Sequence, residues 1–170
     1  MMKKSFLLLL LLSACASPPP PPGTVAIAPG EMFALPAPSA LGREIEAVQL
    51  VSLRHGTDEI AFEGHLSVTH ERVLLVGTDG FGQRLISIRW DGKTVTAEKA
   101  PFLPDTLRPD SVLADVMLIY WPEAAVQAGL SGDRGQVTIE RDPDPWRGHA
   151  HLVNKAWDYE IDARSSVVAP

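Results

Sequence analysis

The chain has 170 residues, 15 basic against 21 acidic side chains, and a formal net charge of −6. That length suits a single domain, and an acidic chain without a basic cluster excludes nucleic acid and a basic headgroup-binding patch. A single Cys excludes an intrachain disulfide.

Met1–Ala14 has the layout of an export signal. Lys3 and Lys4 precede the apolar run Phe6–Leu12, and Ser13-Ala14 forms a small-residue exit. The run is shorter than the roughly 20 residues of a membrane-spanning helix, and it fits the apolar core of a signal peptide. Leu12-Ser13-Ala14-Cys15 resembles the bacterial lipobox. The resemblance implies that residues 1–14 are removed and that Cys15 carries diacylglycerol and an acylated amino terminus. Ala16, standing where an Asp would retain the protein at the inner membrane, implies the periplasmic face of the outer membrane. Several acyl chains hold firmly where one holds marginally, at about 0.8 kcal/mol per buried CH₂.

Pro18–Pro22 is a polyproline segment. At about 3.1 Å per residue, it sets the domain roughly 15 Å from the bilayer. Residues 15–42 therefore read as a lipidated Cys, a Pro-rich tether and a loosely attached leading segment. Residues 43–164 read as the folded domain, and 165–170 as a frayed tail.

From Glu44 to Lys99 the pattern predicts five successive antiparallel strands. Glu59–Thr69 is the clearest, with Ile60, Phe62, Gly64, Leu66 and Val68 on one face and polar residues on the other. Gly64 in mid-strand suggests a bend or bulge. Asp91-Gly92 reads as a two-residue hairpin turn between Arg84–Trp90 and Lys93–Lys99.

Asp110–Trp121 predicts a helix that is apolar nearly all round, hence buried, with Pro109 in its first turn. Pro122 breaks it, and Glu123–Leu130 forms a second short helix. Strands return at Gln136–Arg141, Arg147–Val153 and Trp157–Ala163, the last with Trp157, Tyr159, Ile161 and Ala163 facing inward. Trp121 and Trp157 read as core, whereas Trp146 in its Pro-rich turn reads as an edge cover or partner contact. The fold class is mainly β, or α+β. It is a curled antiparallel sheet, a half-open barrel, with a buried helical insert.

No catalytic constellation stands out, so an enzyme is not expected. Gly129-Leu130-Ser131-Gly132-Asp133 lacks the last glycine of a nucleophile elbow and follows a helix rather than a strand. His149 and His151 share a strand face without a third ligand at a firm spacing, so no metal is expected. Gly77, Gly80 and Gly82 lie between strands and read as turn residues rather than a phosphate loop. Glu59, Glu63 and Glu71 read as solvated strand and turn residues. No cofactor is implied.

The lipobox, "DGFGQRLISIRWDG" at 79–92, "LRPDSVLADVMLIYWP" at 107–122 and "DPWRGHAHLVNKAWDYEID" at 144–162 together resemble a family of uncharacterised proteobacterial lipoproteins. Its members are often encoded beside aryl-polyene or fatty-acid-like synthase genes. In outline the family is similar to the Lol lipoprotein carriers. That similarity implies a half-open barrel with a helical lid over an apolar cavity, but not lipoprotein-receptor activity. Leu103 is the candidate for the carriers' protruding apolar loop.

The functional expectation is an outer-membrane-anchored lipoprotein that binds or places an acyl or polyenyl lipid. The residues expected to line its cavity are Phe62, Leu66, Ile88, Trp90, Met117, Trp121 and Tyr159. The alternative is a non-enzymatic assembly protein with a filled core and an envelope protein as partner. An open apolar cavity favours the first reading and a filled interior the second.

Overall fold

The structure, a computed structural model, describes residues 22–169. The export signal, Cys15 and Pro18–Pro21 lie outside the described residues. Half of the chain is strand and a smaller share helix, arranged in two antiparallel sheets of which neither closes into a barrel.

The chain opens with a hairpin of β1 (Thr24–Ala28) and β2 (Glu31–Ala34). A 3₁₀ turn at Pro38–Leu41 leads into the meander: β3 (Ile45–His55), β4 (Asp58–Val68), β5 (Val73–Thr78), β6 (Arg84–Trp90) and β7 (Val95–Lys99). Helices α1 (Pro109–Tyr120) and α2 (Glu123–Gly129) follow. The chain closes with β8 (Leu130–Gly132), β9 (Val137–Arg141), β10 (His149–Asn154) and β11 (Tyr159–Ala169). The large sheet has the order β7-β6-β5-β4-β3-β11-β10-β9, and the small one β1-β2-β8.

The five-strand meander forms as its alternation predicts, each strand pairing with the next. Gly64 makes no bulge. It sits in unbroken register opposite Gln49 and Gly77, and the irregularity falls one strand on, between Gly77 and Thr78. The glycine answers a close approach instead, since a Cβ there would lie 3.2 Å from Gln49 Oε1. The β6–β7 turn spans Asp91–Thr94 rather than two residues, because Asp91 Oδ1 accepts from the Lys93 and Thr94 amides.

Two end segments depart from expectation. The leading segment is part of the core: Val25, Ile27 and Phe33 are fully buried, and Trp90 Nε1 donates to Pro36 O at 2.8 Å. Its short apolar alternation is broken by Pro and Gly, which masks two strands in the sequence. The tail does not fray at 165, because β11 continues to Ala169 along β3. Ser165, Val167 and Ala169 gain partners there that only the fold supplies.

Helix α1 touches β1 of the small sheet and β6, β7, β9 and β10 of the large one. A helix without a polar face needs cover on every side, and Leu113, Ala114, Met117, Leu118 and Ile119 are all buried. The sequence ends this helix at Pro122, and Trp121 takes an extended conformation as its cap. Trp146 belongs to the same core, with its ring 4.8 Å from Tyr120 and 6.5 Å from Trp121. It is not an edge cover, because the 3₁₀ turn at Pro145–Arg147 aims it inward. Trp157 is half-buried in a turn rather than in a strand, since Asp158 adopts a positive φ of 53° and β11 starts only at Tyr159.

Candidate functional site

The face of the large sheet that carries α1 is divided in two. Hydrogen bonds fix which face that is. Tyr120 Oη and Ser165 Oγ are 2.6 Å apart, and Tyr159 Oη donates to Asp115. Tyr159, Ile161, Ala163 and Ser165 therefore point toward the helix, with their direct cross-strand partners His55, Leu53, Val51 and Gln49 beside them.

At one end this face is closed. Ile45, Ala47, Leu66 and Val68 are buried, together with Ile88 and Trp90. At the other end it is open. Strands β3, β4 and β11 have eleven residues each, against six in β5, seven in β6 and six in β10. At this end β4 runs past β5, which stops opposite Glu63, so the β3–β4 hairpin overhangs, while β11 stays flanked by β10 over Tyr159–Arg164. On the overhang Leu53 stands directly opposite Ile60 on one side and Ile161 on the other, and Val51 opposite Phe62 and Ala163. Val51, Leu53, Phe62 and Ile161 are only half-buried, and Ile60 is 43% exposed. Two adjoining cross-strand rows thus form an apolar shelf that continues the face filled by α1.

Polar groups pin the helix beside this shelf. Asp115 is buried on α1, and both its carboxyl oxygens accept from Tyr159 Oη, at 2.9 and 3.1 Å. Burial pushes the Asp115 carboxyl up to about 7, against the opposing effect of the Tyr159 hydrogen bond. Burial and the neighbouring carboxylate raise the Tyr159 phenol as well. At the other end of α1, Arg141 on β9 donates to the carbonyls of Ile119 and, at 3.1 Å, Trp121. Those carbonyls belong to the last turn, where the helix has no partners of its own.

The seven residues expected to line a cavity do not converge on one. Leu66, Ile88, Trp90, Met117 and Trp121 are each at most 2% exposed and fill the core. Leu66, Ile88 and Trp90 come from the sheet and Met117 and Trp121 from α1 and its cap, and α1 packs directly on the large sheet. Phe62 lies on the shelf. Tyr159 binds Asp115 and borders a small cleft with Arg54, Asn154 and Lys155.

Asp115 is hidden in the apolar run "SVLADVMLIYW", and the openness of Val51 and Leu53 depends on where the neighbouring strands end, which the sequence does not display. The signal for Asp115 was its charge at a position that the apolar run marks as buried.

The histidine pair forms a local network. His149 Nε2 is 2.6 Å from one oxygen of Asp162, and His151 Nδ1 is 3.1 Å from the other. Slight burial works against the Asp162 carboxylate, but these histidines hold it below its usual range. Among the described residues, no three His, Cys, Asp or Glu side chains are arranged to hold a metal ion. Ser131 is exposed on the short strand β8, opposite Met32. Leu103 is half-buried, whereas Phe81, at the tip of the β5–β6 turn, is 99% exposed.

A family model described as a protein of unknown function, DUF3261, matches residues 46–166. No curated protein matches the chain. The matched span runs from β3 into β11 and takes in both helices, the shelf, Asp115 and Tyr159. The chain belongs to the DUF3261 family.

Proposed function

We propose that the protein is an outer-membrane lipoprotein, anchored through acylated Cys15, that binds or places an acyl or polyenyl chain at the periplasmic face. In this reading the large sheet curls as a half-open barrel around α1, and the ligand lies along the uncovered end. The observation that carries it is the shelf of Val51, Leu53, Ile60 and Phe62, apolar side chains left partly open to solvent beside the face that α1 fills, with Ile161 at its border packed against the core. A hydrocarbon chain laid there gains about 0.8 kcal/mol for each CH₂ it buries. No step of bond making is involved, and α1 acts as a fixed plug that directs the chain to the shelf.

Mass spectrometry of solvent extracts from protein exported without Cys15 tests the reading. The expected result is a chain-bearing lipid near one per protein. Extracts with no lipid above that of an unrelated exported protein would contradict it.

A second reading, an assembly protein that binds an envelope partner, is favoured by the filled core and by Phe81 and Phe102, 99% and 62% exposed. It predicts that in intact cells a photoactivatable residue at position 81 crosslinks to one defined protein. Labelling of lipid alone would count against it.

A further inference from the structure

Away from the shelf, a second cleft opens where the two sheets meet. It has a volume of about 210 Å³. Its walls are Ile27 of β1, Leu118 of α1, Val126 of α2, Leu130 of β8, and Val137 and Ile139 of the edge strand β9, with Glu31 of β2 and Arg141 among its polar residues. Both helices and strands of both sheets contribute, so the cleft is made by the junction and belongs to no single layer.

Glu31 is the anomaly in it. The residue is 3% exposed, and its Oε2 is buried without a hydrogen-bond partner among the described residues. A buried carboxylate oxygen left unmatched is costly, and native structures normally satisfy such groups. Among the described residues lining the cleft, the cation is Arg141, and it is committed elsewhere. Arg141 serves the carbonyls of Ile119 and Trp121 and sits 3.5 Å from Glu123. Glu31 and Glu123 thus leave the cleft one negative charge in excess, with apolar walls around it.

We propose that this cleft is a binding site for a small primary ammonium compound with an aliphatic body. The ammonium pairs with the Glu31 carboxylate, and the body packs on Leu118, Val126, Val137 and Ile139. The volume falls below the roughly 300–1,000 Å³ of sites for drug-sized molecules, which limits the occupant to a short chain. A carboxylate or a phosphate is excluded by the two glutamates, and a neutral alcohol supplies a hydrogen bond without the charge. This site stands independently of the shelf.

The test is methyl NMR of the full chain titrated with hexylammonium, with hexanol and hexanoate as matched controls for apolar partition. Saturable shifts of the Val126, Leu130 and Ile139 methyls are expected with hexylammonium, at least tenfold weaker with hexanol, and none with hexanoate. Glu31→Gln keeps the shape of the side chain and is expected to weaken hexylammonium binding at least tenfold while leaving the melting temperature equal or higher. Val137→Trp, which fills the cleft from its half-exposed rim, is expected to abolish binding. The proposal is overturned if hexylammonium and hexanol bind alike, if no methyl shift saturates, or if a folded Glu31→Gln or Val137→Trp binds as the native chain does. Such a result leaves the lipid reading of the shelf untouched, because no shelf residue lines this cleft.

Discussion

Tyr159 on β11 donates its hydroxyl to both carboxyl oxygens of Asp115 on α1, at 2.9 and 3.1 Å, and so ties the central helix to the sheet at the border of the open shelf. The acid in this pair is buried and its pKa stands near 7, against about 3.9 in an unfolded chain. Between those values the folded protein binds more protons than the unfolded one. Stability from this group is therefore fully present below about pH 4 and is lost as pH rises to 7, at up to about 1.4 kcal/mol per pH unit. Denaturant unfolding of the native chain and of Asp115→Asn at pH 5 and pH 8 measures this. The native chain is expected to lose stability relative to the variant as pH rises, with a difference of a few kcal/mol at most. Parallel pH profiles would contradict the assignment.

Arg141 closes the last turn of α1 from a neighbouring strand. Arg141→Ala leaves the Ile119 and Trp121 carbonyls without their donor, at an expected cost of about 1–3 kcal/mol. Arg141→Lys keeps the charge but not the forked geometry, so it is expected to recover only part of the loss. Thermal unfolding of both variants is the check, and an unchanged midpoint in Arg141→Ala would refute the capping role.

The plug itself is testable by truncation. Leu113 and Met117 are fully buried. Each change to Ala is expected to cost about 2–5 kcal/mol, the range for a buried large side chain that leaves a cavity. Urea titration followed by circular dichroism reads the loss. Costs below about 1 kcal/mol would show that α1 is not tightly packed and that the interior opens readily.

The leading segment is predicted to contribute to stability rather than to hang free. Gly23 has a φ of +77°, and a Cβ there would lie 2.4 Å from the Trp90 ring. Gly23→Ala is therefore expected to destabilise by about 1–3 kcal/mol, through both the strained backbone and the crowded ring. Trp fluorescence during unfolding follows it, and native-like behaviour would restore the loose-tether description.

These contrasts show where the sequence is legible. The meander could be read because its strands alternate in residues that are close along the chain. The helix could be read because Pro109 and Pro122 bound an apolar run longer than a strand. The hairpin of β1 and β2 could not, since its partners are Trp90 and β8, far away in sequence and visible only once folded. Inward-facing is a property of alternation, whereas openness is a property of neighbours. Leu66 and Ile60 alternate alike on β4. One is covered and the other overhangs, because β5 stops at Thr78. Asp115 escaped notice because one acid in a helix is ordinarily placed on the wet side, and α1 has none.

Photolabelling with a diazirine-bearing fatty acid tests the shelf most directly. The protein exported without Cys15 is irradiated with the probe, digested, and the labelled peptides are sequenced by mass spectrometry. Label is predicted on the β3–β4 hairpin and on β11, at Leu53, Ile60, Phe62 or Ile161. Leu53→Asp with Ile60→Asp is predicted to remove it without lowering the melting temperature by more than a few degrees. Label spread over the surface, or retained in full by that double variant, would contradict the account.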